Sequence, residues 1–227
     1  KGTGKWSAIA AMDENDPLTL ITEAVYARLL SALYSERVKA ARLYSGKLKV
    51  ESGKLSGNSQ LSIEDVRQAL YAAKLVSYAQ GFSLLRRASE HYGWDLDYGT
   101  IARIWRKGCI IRSVFLQKIT DAYRKEPDLE NLLFDDFFRS KIQDALPAWR
   151  RIVAEGALSG VALPAMSSAL SYFDGLRTLH SAANMIQAQR DYFGAHTYER
   201  TDRERGHFFH TNWTGEGGNT ISGTYSV

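Results

Sequence analysis

A single cysteine, Cys109, stands in a chain of 227 residues, so no intramolecular disulfide can form and a small secreted scaffold stapled by bridges is excluded. A lone thiol points to a reducing compartment, and its neighbours in Gly108-Cys109-Ile110-Ile111 predict a small core residue rather than a nucleophile. No run of about 18 apolar residues is present to cross a bilayer, and the N-terminus lacks the basic region, apolar stretch and small-residue cleavage site of a secretory leader. The expected setting is cytoplasmic, without a membrane. Excess charge is also scarce: 29 basic residues face 25 acidic ones along the whole length, with no basic stripe of the kind that tracks nucleic acid. A small anionic ligand suits this balance better than a polyanion. No glycine triplet follows a strand pattern, so the fingerprint of a dinucleotide-binding fold is missing. Only four prolines occur, which leaves long segments free to be helical.

Five tryptophans, twelve tyrosines and nine phenylalanines are too many for a disordered chain, and 44% hydrophobic residues can fill a substantial core. The length allows one large domain or two modest ones. The chain opens on Lys1 in what reads as mid-sequence, and a piece of something longer is expected.

Helical signals dominate. Pro17 precedes an apolar face of Leu18, Ile21, Val25, Leu29 and Leu33, and a second helix is predicted over 36–44. Ser62, followed by Glu64 and Asp65, starts a helix that is apolar on nearly every face over 69–85 and ends near Gly93. Further helices are predicted over 98–106, 112–124, 129–144, 147–155 and 164–177, with Pro147 marking a junction between two of them. Residues 46–60 carry turn chemistry and read as a surface loop. Helical periodicity stops after Gly194, 207–213 is the sole strand candidate, and 215–227 reads as an extended tail. The predicted class is all-α, multi-helix, with a trailing arm.

Three places could carry chemistry. Lys1-Gly2-Thr3-Gly4-Lys5-Trp6 has glycines and lysines suited to an anion, but the spacing and Trp6 after Lys5 do not make a nucleotide phosphate loop; phosphate contact and a plain glycine turn both fit. His207 and His210, with His196 and Glu204 nearby, do not make a metal site without a helix to align them, and none is assigned. In the run 186–198, Arg190 and His196 stand among Tyr192, Phe193 and Tyr198, poor core material but suited to gripping a phosphate or carboxylate. The alternative there is structural: Arg190 pairs with Asp191 or another acid, and His196 caps a helix.

Six separated stretches carry a resemblance: 1–6, Ile21-Thr22-Glu23-Ala24-Val25-Tyr26-Ala27-Arg28, Val76-Ser77-Tyr78-Ala79-Gln80-Gly81-Phe82, Gly108-Cys109-Ile110-Ile111-Arg112, 184–198 and His210-Thr211-Asn212-Trp213-Thr214-Gly215. Together, and in this order, they strongly resemble 6-phosphogluconate dehydrogenase over the whole chain, as its C-terminal helical domain and tail. The resemblance implies oxidative decarboxylation of 6-phosphogluconate with NADP, giving ribulose 5-phosphate, carbon dioxide and NADPH in the pentose phosphate pathway. It implies a helical dimerisation and substrate-binding domain over 1–178 and, over 179–227, a helix and tail reaching the partner of a homodimer. By it Lys1, Thr3 and Arg28 contact the substrate phosphate in one subunit, Arg190 and His196 are contributed by the other, and Ser222, Thr224 and Tyr225 lie near the cofactor. The family's base lysine and acid glutamate would lie upstream of Lys1, so no catalytic residue is expected here and the chain alone is expected to be inactive. Ser181 stands where many relatives have proline. A non-catalytic dimerisation or sugar-phosphate-binding module is the alternative.

Overall fold

A computed structural model describes residues 2–44, 61–106, 109–213 and Gly215; Lys1, the loop read over 46–60, and Ser222, Thr224 and Tyr225 lie outside the described residues. The described residues form α1 (Thr3–Asp13), α2 (Thr19–Ala32), α3 (Tyr34–Tyr44), α4 (Ile63–Tyr92), α5 (Tyr98–Ile104), α6 (Leu116–Lys125), a 3-10 turn (Leu132–Phe134), α7 (Asp136–Leu158), α8 (Pro164–Leu176), α9 (Ala183–Gly194), β1 (Tyr198–Glu199) and β2 (Phe208–Phe209). The class is all-α. Two compact units divide the chain, Lys1–Phe173 and Asp174–Val227.

The first unit is organised on α4. Its start is a reciprocal cap: the Asp65 amide donates to Ser62 Oγ at 3.1 Å, and the Ser62 amide donates to Asp65 Oδ2 at 2.9 Å. The stop is Gly93, left-handed at φ 66°. Between them Ala69, Ala72, Ala73 and Ala79 keep one face thin, so α7 packs along it. Arg151 of α7 donates to Asp65, which clips the helix start to its neighbour. Around this spine Phe82, Leu75, Leu116, Ile119, Phe138, Ile142 and Trp149 are all but fully buried, and the Trp149 indole N–H donates to the Met166 carbonyl at 3.2 Å.

Pro147 does not mark a junction, since α7 runs through it. An interior proline costs about 3 kcal/mol through the lost hydrogen bond and the clash with the preceding turn. Phe138, Ile142 and Ala145 before it, and Ala148, Trp149 and Ile152 after it, are all buried. Each large side chain contributes about 1.5 to 3 kcal/mol, which outweighs the local penalty. The helix predicted over 129–144 is divided instead by two polar side chains. Asn131 Oδ1 accepts from the Leu133 amide at 2.9 Å and Asp135 Oδ1 from the Phe137 amide at 2.9 Å, which ends the 3-10 turn and caps α7.

Two other expectations are corrected. Cys109 is half-buried between the described core and a fully exposed Ile110, with Ile111 42% exposed, so it is not a core thiol. The glycines of 2–6 do not build a loop: Gly2, at φ 140°, is the last residue before α1, and Thr3 is its first. Along α2, the apolar face is sealed only at its root. Leu18 is 3% exposed, whereas Leu29 and Leu33 are 47% and 45% exposed, and no residue of α2 itself is buried.

In the second unit, β1 and β2 pair antiparallel with Tyr198 opposite Phe209 and Glu199 opposite Phe208, so the strand read over 207–213 is present in part.

Candidate functional site

Thr3 and Arg28 lie near a close crossing of α1 and α2. A Cβ at Gly4 would stand 2.9 Å from Cγ2 of Val25. Gly4 adjoins Thr3, and Val25 precedes Arg28 by nearly one turn, so both residues lie within about a turn of the point where α1 and α2 approach. Both residues are exposed. The start of α1 also leaves unpaired backbone N–H groups beside Thr3, which add positive character there.

Within α9 a neutral amide joins three residues. Gln187 Oε1 accepts from Arg190 Nη1 at 3.2 Å, while Gln187 Nε2 donates to the carbonyls of His196 at 2.9 Å and Thr197 at 2.6 Å. The chain reverses at Ala195, left-handed at φ 51°, and folds the His196 imidazole back onto Gly194. Arg190 is exposed and His196 half-buried.

The acid beside Arg190 is engaged elsewhere. Asp191 is fully buried and accepts from His210 Nδ1 at 2.9 Å, the Thr211 amide at 3.0 Å and Trp213 Nε1 at 2.9 Å. Burial opposes ionisation of this carboxyl, but the Thr211 amide, His210 and the Trp213 indole outweigh it and hold it below the usual carboxylate range. The pairing of Arg190 with Asp191 considered from sequence is therefore not formed. Among the described residues, the hydrogen-bond partner of the Arg190 guanidinium is uncharged.

A cleft of about 880 Å³ lies within the same unit, lined by Asn184, Gln187, Tyr198, Arg200, Arg205 and Trp213 among others. Its charges are matched in pairs: Arg200 donates to Asp202 at 2.7 and 2.6 Å, and Arg205 lies 2.7 Å from Glu199. Arg190 thus differs from its cationic neighbours. Of the histidines considered for metal binding, His210 is held by Asp191, and among the described residues no group of three or more His, Cys, Asp or Glu is placed to hold an ion. No described helix is long and apolar enough to cross a membrane.

A family model described as the C-terminal domain of 6-phosphogluconate dehydrogenase matches residues 1–213. The chain belongs to the 6-phosphogluconate dehydrogenase family. It is 54% identical over 227 residues to the decarboxylating 6-phosphogluconate dehydrogenase of Rattus norvegicus, and 53% identical to that of Aggregatibacter actinomycetemcomitans, covering all of this chain and 46% of each relative. A solved structure of Plasmodium falciparum 6-phosphogluconate dehydrogenase, described in its apo form and in complexes with its cofactor NADP+ and its substrate 6-phosphogluconate, superposes with a TM-score of 0.84 at 41% identity, over 94% of this chain and 45% of that one. The chain thus spans under half the length of the relatives it matches.

In this family member the described residues build no dinucleotide cradle, since among them the only sheet is a two-residue antiparallel pair without a strand-to-helix glycine turn. Gln187 and Asp191 are the site's unanticipated members. The partners of Asp191 lie 19 to 22 positions along the chain, and no helical or strand period links such residues. Gln187, three residues before Arg190 on a helix, carries the one local signal that could have been read.

Proposed function

We propose that this chain is the substrate-phosphate-binding and subunit-contacting part of a cytoplasmic, NADP-dependent, decarboxylating 6-phosphogluconate dehydrogenase of the pentose phosphate pathway. Lys1, Thr3 and Arg28 hold the phosphate from one subunit, and Arg190 and His196 complete the grip from the other. The observation that carries this reading is the state of Arg190, an exposed guanidinium steadied by a neutral amide while the adjacent acid is buried among three donors. A phosphate close to dianionic at neutral pH needs several charge-assisted donors, and an arginine that is positioned but not neutralised supplies a planar fork for it. The exposed apolar face of α2 and the start of α3, with Tyr26, Leu29, Leu30, Leu33 and Tyr34, supports a contact with the second subunit.

The contribution of these residues to the reaction is orientation. Gripping the phosphate far from the reacting carbons lets binding energy hold those carbons in place, so loss of the grip affects turnover as well as affinity. NADP, when bound, accepts the hydride. Its site is proposed to lie in the part of the relatives that this chain does not span, approached here by Ser222, Thr224 and Tyr225. The chain alone is accordingly proposed to be inactive.

Subunit complementation tests the shared site. Arg28→Ala and Arg190→Ala, each made in the intact protein, should both raise the KM for 6-phosphogluconate. Random assortment of the two variants puts half of the dimers in mixed form, each with one intact site, so about a quarter of the wild-type activity at low substrate should return. A mixture no more active than the average of its parents would show that the residues do not share a site across subunits.

A further inference from the structure

We infer that Gln80, in the middle of α4, is a positioning residue for the phosphate site, acting through the first turn of α2 on Arg28. This rests on the reading of Arg28 given above. Gln80 is fully buried, and both ends of its amide are used at one point: Oε1 accepts from the Leu20 amide at 3.0 Å, and Nε2 donates to Thr19 Oγ1 at 2.9 Å. The Leu20 N–H is one of the donors that a helix start leaves without an internal partner, so Gln80 satisfies α2 as α2 satisfies Gln80. A buried amide without partners is strongly disfavoured, which ties the two groups together.

The same face of α4 carries three more rungs. Ser83 Oγ donates to Asp16 Oδ2 at 2.6 Å, Arg87 Nε donates to the same oxygen at 3.2 Å, and His91 Nδ1 lies 2.9 Å from Glu14 Oε2. Positions 80, 83, 87 and 91 follow helical spacing, and their partners at 19–20, 16 and 14 run the opposite way through the α1–α2 turn. The turn is laced to the core helix by polar contacts, with Leu18 as its buried apolar anchor.

This lacing matters because α2 has no fully buried residue beyond its root: the close approach of Val25 to Gly4 ties it to α1, and the lacing ties that pair of helices to α4 through their turn. Arg28 stands nine residues after Thr19, about 13 Å along the axis, so a tilt of about 5° at the base moves it by roughly 1 Å. A misplacement of that size can reduce turnover by as much as about 100-fold where orientation is critical. Gln80, the rung closest to α2, sets that angle.

A double-mutant cycle in the intact enzyme tests the inference. Gln80→Leu should raise the KM for 6-phosphogluconate about tenfold, leave the KM for NADP within about twofold, and lower the preference for 6-phosphogluconate over unphosphorylated gluconate. With Arg28→Ala already present, adding Gln80→Leu should change the KM for 6-phosphogluconate by less than about twofold, because the residue it positions is gone. Thr19→Val, which removes only the hydroxyl rung, carries the same cycle at about threefold amplitude should Gln80→Leu fail to fold. Multiplicative losses in the double variant, or equal losses for both substrates, would overturn the positioning role. An inert Gln80→Leu beside a damaging Arg28→Ala would overturn it too while leaving the phosphate site standing; an inert Arg28→Ala would remove both.

Discussion

The imidazole of His196 lies on the α-carbon of Gly194, with its Cδ2 and Nε2 each 2.9 Å from the point where a β-carbon would stand. Glycine at the last position of α9 is therefore what lets the chain fold the ring back after the left-handed Ala195. Gly194→Ala should push the ring aside rather than unfold the unit, since the group met is a side chain and alanine favours the helix by about 0.5 to 1 kcal/mol. The expected outcome is a melting temperature at or slightly above wild type together with a raised KM for 6-phosphogluconate. An unchanged KM would separate His196 from the site.

Arg190 offers the sharpest charge test. Arg190→Ala in the intact enzyme should weaken the use of 6-phosphogluconate by about 1.5 to 3 kcal/mol or more, the range for a hydrogen bond to a charged group. Arg190→Lys should recover only part of this, because an ammonium keeps the charge and loses the planar fork. The kcat/KM of the three proteins, read at constant ionic strength, decides it.

Gln187 should matter to Arg190 in proportion to its amide. Gln187→Leu removes the acceptor at 3.2 Å and both donations to the His196 and Thr197 carbonyls. Its effect on the KM for 6-phosphogluconate should largely vanish when Arg190→Ala is already present, as expected of residues acting as a unit. Independent losses would mean that Gln187 only supports the backbone turn.

Asp191 should behave as a structural acid. Asp191→Asn leaves three donors facing a neutral amide and should destabilise the tail's attachment by about 1.5 to 3 kcal/mol, visible as faster hydrogen exchange at the Thr211 amide. Because its carboxyl is held below the usual range, this stabilisation is fully present above the unfolded value of about 3.9 and is lost as pH falls through the lower folded value.

Asp65 predicts a second acid transition, in the first unit. The Ser62 amide, the Arg151 guanidinium and the Ser62 hydroxyl pull its carboxyl down to about 2. The cap's contribution should be complete above about pH 4 and fall away towards pH 2, and Asp65→Asn should flatten that part of a plot of melting temperature against pH.

Local chemistry was legible wherever partners are neighbours in sequence. Ser62 and Asp65 cap α4 within one turn, Gly93 ends it, and Pro164 opens α8, so all three boundaries could be read directly. Pro147 and Cys109 could not. Whether a proline bends a helix or is carried through it depends on what both halves bury, and whether Ile110 is core depends on what faces it. The helix α1 went unread because its glycines mimic a turn, and its glycine at position 4 makes sense only once Val25 is seen across the crossing.

The sequence by itself determined the family, the all-α class and the residue types able to grip an anion, because each of these is carried by motif order, short-range periodicity or side-chain chemistry. Only the tertiary structure decided that Asp191 belongs to His210, Thr211 and Trp213 rather than to Arg190, and that Gln80 reaches 60 residues back to hold the start of α2. The reason is physical. A buried polar group must find a partner, but which partner it finds depends on the packing that brings distant segments together.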